Sequence, residues 1–164
     1  MAWSDAASTK GLGAFYLSTL QTVPDLEAAF SIAFPPCLAK AKKHINVQEM
    51  RAVEQVFLRW GRQWKGKCLV IHVDNQAVAH GLTNRTIHGA PMRVLRRCLL
   101  LASECDVDLV SRWVSTDENA LADALSRFDY VRIADLAPQL LTKSPACNPL
   151  KHGFLTYSSP DCPQ

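Results

Sequence analysis

The chain has 164 residues, 48% apolar and 20% charged, with 18 lysines and arginines against 15 acids for a net charge of +3. That length suits one domain with a real hydrophobic core, and the composition is ordinary for a soluble globular protein. No apolar run approaches the ~20 residues of a membrane-spanning helix. The opening MAWSDAASTK has no charged region followed by an apolar stretch, so no secretory signal is visible and an intracellular place, cytoplasm or nucleus, is expected. The charge is too small to establish a nucleic-acid partner. Its clusters (Lys40, Lys42, Lys43 and His44; Arg85, Arg93, Arg96 and Arg97) could face phosphates, but a solvated basic face is the commoner meaning of a short charge run.

In chain order, a few residues around Asp5 form a short first strand before the glycine turn at Gly11 and Gly13. GLGAFYLSTL (11–20) and AAFSIAF (28–34) read as two further strands, the second ended by Pro35 and Pro36. From Asn46 to Trp64 the pattern turns helical, with Met50, Val53, Val56, Phe57, Trp60 and Trp64 at three- and four-residue steps. CLVIHV (68–73) is a nearly unbroken apolar run, as expected for a central parallel strand covered on both faces. A short helix over 75–82 and a longer one over 89–102 come next, the latter with Pro91 in its first turn. VDLVSRWV (107–114) is a strand, and the last amphipathic helix runs from about Asp117 to Arg127. VRIADLAPQLL adds one or two amphipathic turns, and residues 142–164, rich in proline and without periodicity, read as an irregular tail or linker after a domain of residues 1–141. Strands first, then alternating helix and strand, predict an α/β fold with a mixed sheet flanked by helices.

The six cysteines include no C-x-x-C pair and read as reduced thiols. Cys68 and Cys98 lie in apolar segments and are expected in the core. Cys147, His152 and Cys162 match no zinc-finger spacing.

Four carboxylates stand out, each with a plain alternative. Asp74 ends the buried-strand pattern, where α/β sheets gather their ligands, but Asp74 or Asn75 could simply cap the next helix. Glu49 shares a helix face with Val53, Val56 and Trp60, a costly place for a charge unless something compensates it. Against that, Asn46 and Glu49 have capping-box spacing. Asp123 could pair with Arg127 one turn on, and Asp5 could be an exposed turn residue. Taken together, three acids from separate elements and one before the first turn suit phosphodiester cleavage with two Mg²⁺ ions, which need oxygen ligands and little else from the protein. Mn²⁺ would serve as well.

SDAASTKGLGAFY, HINVQEMRAVEQVFLRW, VIHVDNQAVAHGL and WVSTDENALADALSRF together resemble the ribonuclease H domain of retrotransposon reverse transcriptases, especially fungal DIRS- or Gypsy-like elements, over roughly residues 3–141. The resemblance implies a five-stranded mixed sheet, its first three strands antiparallel, flanked by helices. It implies a metal-dependent endonuclease that cuts the RNA strand of RNA–DNA hybrids, beside an adjoining polymerase domain in a polyprotein and with no membrane partner. It places the acidic tetrad on Asp5, Glu49, Asp74 and Asp123, minor-groove contacts on Asn46 and Gln76, and an assisting role on Arg127. The Arg93–Arg97 helix could then hold DNA phosphates. Two departures accompany it. The loop Trp113-Val114-Ser115-Thr116 lacks the histidine usual in cellular enzymes, and only four residues precede Asp5. The competing readings are an inactive or domesticated domain that binds nucleic acid or protein, and another nuclease class on the same sheet.

Overall fold

The computed structural model describes residues 1–18, 21–34 and 44–141. Five strands, β1 (Ala2–Ala7), β2 (Gly11–Tyr16), β3 (Ala29–Ala33), β4 (Lys67–Val73) and β5 (Val107–Trp113), form one sheet in the order β3-β2-β1-β4-β5. The first three pair antiparallel, while β4 runs parallel to both β1 and β5. The sheet is therefore mixed, as the strand-then-alternation pattern predicts. Despite its few leading residues, β1 pairs with β2 along its whole length, and Met1 and Leu17 close the end with reciprocal backbone bonds.

Helices α1 (Ile45–Trp60), α2 (Gln76–Asn84) and α3 (Pro91–Glu104) cover one face. Their apolar stripes meet Ala6, Leu12, Ala14, Phe30, Ile32 and Ile71 in the larger core. Met50, Val53, Val56, Phe57 and Trp60 are buried, so the helical periodicity is realised, but α1 gives way to a 3₁₀ turn at Gly61–Trp64. The opposite face carries α4 (Ala120–Arg127) and α5 (Tyr130–Leu136), whose Ala122, Leu125 and Ile133 pack with Phe15 and Ala29 in a smaller core. Gly13 makes this second layer possible: a Cβ there would lie 2.3 Å from the Ser126 amide nitrogen and 2.5 Å from the Ala122 carbonyl oxygen. The helix thus lies almost directly on the β2 backbone.

Five further expectations change. Asn46 does not cap α1; His44 is the cap and its Nδ1 accepts from the Asn46 amide, so no capping box forms. Cys68 is exposed, because it lies at the start of β4 before the strand enters the core, whereas Cys98 is buried as expected. Arg97 is taken up by an ion pair with Glu54 at 2.8 Å. The third strand candidate and the last helix are each shorter than their patterns. Lys40, Lys42, Lys43, Cys147, His152, Cys162 and the expected tail over 142–164 lie outside the described residues. No helix among the described residues is long and apolar enough to cross a membrane.

Candidate active site

Asp5 sits on β1, the central strand, directly opposite Gly13 in the β1–β2 register. Because Gly13 admits α4, Asp5 meets that helix: the Ser126 hydroxyl lies 2.5 Å from Asp5 Oδ2 and also 2.9 Å from the Asp123 carbonyl. Asn119, the buried N-terminal cap residue of α4, donates its Nδ2 to the Ser4 carbonyl at 3.2 Å. Two contacts thus tie α4 to β1, one at the aspartate and one at the residue before it.

Asp74 lies just past the end of β4, next to β1. It does not cap α2; Asn75 does, accepting from the Val78 amide at 3.1 Å. Asp74 is instead held from the far end of β5 and the loop beyond it. Its carbonyl accepts from Trp113 Nε1 at 2.9 Å, and its Oδ2 from the Thr116 hydroxyl at 3.4 Å. The loop that lacks a histidine therefore grips this acid through a half-exposed tryptophan and a threonine.

Glu49 comes from the other layer, on α1. The helix start is fixed by Gln48 Nε2 donating to the Ser8 carbonyl at 2.8 Å, and by Asn75 Nδ2 donating to Asn46 Oδ1 at 2.9 Å. The expected substrate residue Asn46 thus locks the start of α1 to the residue beside Asp74. Gln76 is exposed at the first position of α2.

Carboxylate oxygens of Asp5, Glu49 and Asp74 lie within 4.8 Å of one another. Among the described residues none of the three pairs with a lysine, arginine or histidine, and Glu49 Oε2 is buried with no hydrogen-bond partner. Three negative charges in low-dielectric surroundings hold one another's protons on. Burial pushes the Asp5 carboxyl up to about 6, helped by Asp74 and Asp123 and opposed by the Ser126 hydrogen bond. Burial, then Asp5 and Asp74, raise Glu49 well above the usual carboxylate range, and Asp74 is raised by burial and by Asp123. Such a group fits a divalent cation: all donors are hard oxygens, they converge, and a buried lone pair is unused.

Asp123 stands apart. It is buried and its charge is felt by the other three, but it is outside their close group. Arg127 Nε donates to Oδ1 at 2.6 Å and Arg132 Nη1 to Oδ2 at 3.1 Å. The first is the helical pair that the sequence suggests; the second is not signalled by any local spacing.

No protein-family model matches the sequence, and no curated protein matches it significantly. Its fold does match solved structures. The N-terminal RNase H domain of Rv2228c from Mycobacterium tuberculosis superposes with TM-score 0.59 at 17% identity, covering 76% of this chain and 91% of that one. RNase H1 from Halobacterium salinarum gives 0.58 at 19%, covering 78% and 96%. LC11-RNase H1, isolated from compost and solved with an RNA/DNA hybrid, gives 0.56 at 15%, covering 79% and 97%. The five-stranded mixed sheet with helices on both faces is a ribonuclease H-like fold.

Proposed function

We propose that the chain hydrolyses the RNA strand of RNA–DNA hybrids, using two divalent ions (Mg²⁺ or Mn²⁺) held by Asp5, Glu49 and Asp74 with Asp123 as the fourth acid. The observation that carries this reading is the meeting of three carboxylates, with no ion-pair partner among the described residues, from β1, α1 and the end of β4. The fold and the hybrid bound by the LC11 neighbour support the substrate class. Bound divalent ions would lower the pKa of a coordinated water and offset charge at the scissile phosphate. The chain's own residues do the arranging. Ser126 orients Asp5, Trp113 and Thr116 fix Asp74, and the Asn75–Asn46 bond keeps Glu49's helix in register with the β4 end. Protons held by Asp5, Glu49 and Asp74 leave as cations bind, so metal uptake is coupled to proton release.

Asn46 and Gln76 flank Asp74 and would meet the hybrid's minor groove, where RNA is recognised by shape and 2′-hydroxyls. The four sequence motifs support a place in a retroelement polyprotein next to a reverse transcriptase polymerase domain. The test is cleavage of a hybrid labelled on each strand, with Mg²⁺, with EDTA, and with Asp74→Asn. Loss of the RNA strand alone, abolished by EDTA and reduced at least about 100-fold by the variant, is expected. A folded wild type that cuts nothing in Mg²⁺ or Mn²⁺ would leave the inactive, domesticated domain as the better reading.

A further inference from the structure

The two guanidinium groups on Asp123 reach it by different routes. Arg127 is the last residue of α4 and lies one turn from Asp123 on the same helix. Arg132 comes from α5. Phe128 turns the chain in the left-handed region (φ 58°), and Asp129 Oδ1 accepts from the Arg132 amide at 3.1 Å, which opens α5 with Arg132 in its first turn. Both guanidinium side chains are about half exposed (53% and 41%), so they lie between a buried acid and solvent.

Resting on the ribonuclease H reading above, we propose that Arg132 is a positioning residue: it holds Asp123 back from the other three acids and competes with the second divalent ion for it. Among the described residues the neighbouring carboxylates carry no such cation. A carboxylate can accept four bonds, so an ion need not evict both arginines. However, a divalent ion and a guanidinium on one carboxylate repel each other. The Arg127 contact is the shorter and is held within one helix. The Arg132 contact is longer and crosses between helices, so Arg132 is the group that yields. The amount of divalent ion the site requires is then set by a residue outside the acid cluster.

The test is Mn²⁺ titration of the full chain without nucleic acid, following the electron paramagnetic resonance signal of free Mn²⁺, for wild type, Arg132→Ala and Arg132→Lys. Rim ion pairs are weak, so Arg132→Ala should bind the weaker of two ions roughly threefold to fivefold more tightly. Arg132→Lys should stay near wild type, and half-maximal cleavage by Arg132→Ala should move to lower Mn²⁺ by the same factor. Should Arg132→Ala fail to fold, Arg132→Gln keeps the aliphatic stem and makes the same measurement. Two ions bound by wild type with unchanged or weaker affinity in the variant would overturn this inference alone. A wild type that binds no Mn²⁺ would overturn the ribonuclease H reading along with it, and one that binds a single ion would overturn the competition.

Discussion

Helix α1 buries two glutamates five residues apart, Glu49 and Glu54, in opposite electrostatic settings. Glu54 is 1% exposed and receives Arg51 from its own helix at 2.7 Å and Arg97 from α3 at 2.8 Å. Glu49 is 4% exposed, faces Asp5 and Asp74, and has no ion-pair partner among the described residues. Burial alone therefore does not distinguish a structural acid from a functional one. The supply of positive charge does. Where the chain provides cations itself, the acid joins two helices; where it withholds them, the acid is left for the divalent ion proposed above. Asp123 lies between these cases, as buried as Glu49 but paired like Glu54.

The contrast is sharpest in activity. Glu49→Gln should lower hybrid cleavage by at least about 100-fold, since it takes an anionic oxygen from the group proposed to hold the ions. Nearly normal turnover in a steady-state assay would erase the distinction between the two glutamates. In stability the order reverses. Glu54→Ala should cost about 3–5 kcal/mol in denaturant unfolding, because Arg51 stays buried without the carboxylate opposite it. Glu49→Gln in metal-free protein should keep or raise the melting temperature at pH 8, by about 2–4 °C for ~1 kcal/mol in a domain of this size.

The pH dependence has its origin in the same difference. Asp5 titrates near 6 in the folded chain against an ordinary value of 3.8, so the folded state holds its proton more tightly than the unfolded one. A raised carboxyl favours folding below the unfolded value and loses that contribution as pH rises through the folded one. Glu49 and Asp74 are shifted in the same direction. Metal-free protein should therefore lose stability between about pH 4 and pH 7. Saturating Mg²⁺ should flatten that decline by stabilising the ionised form. Melting curves with EDTA that stay level across this range would show that the cluster is better solvated than its geometry implies.

Much of this arrangement is written locally. The apolar run ending in Asp74 announces a buried strand with a carboxylate at its end, and the stripe around Glu49 places it on a buried helix face. Period and burial are properties of neighbouring residues, so they can be read from neighbouring residues. Two of the unreadable features depend on contacts between separate elements, and a third on which of two near neighbours caps a helix. Arg132 reaches Asp123 only because Phe128 breaks the helix and Asp129 restarts it. Arg97 meets Glu54 across two helices 43 positions apart. Asn46 is displaced from the capping role by His44, whose ring nitrogen reaches the amide first. The turn at Phe128-Asp129 does carry a signal, an aspartate three residues before an arginine at a helix start, but that pattern predicts the cap and not the acid beyond it.

Gly13 supplies no side chain of its own, yet the approach of α4 to Asp5 depends on what it lacks. Its missing side chain lets α4 rest on β2, and that resting height brings Ser126 to Asp5 and sets Asp123 at the rim. In a map of tolerance to substitution, position 13 would therefore score beside the acids, although it contributes only clearance. Intolerance at a residue records how much of the machine hangs on it, which differs from recording whether it reacts.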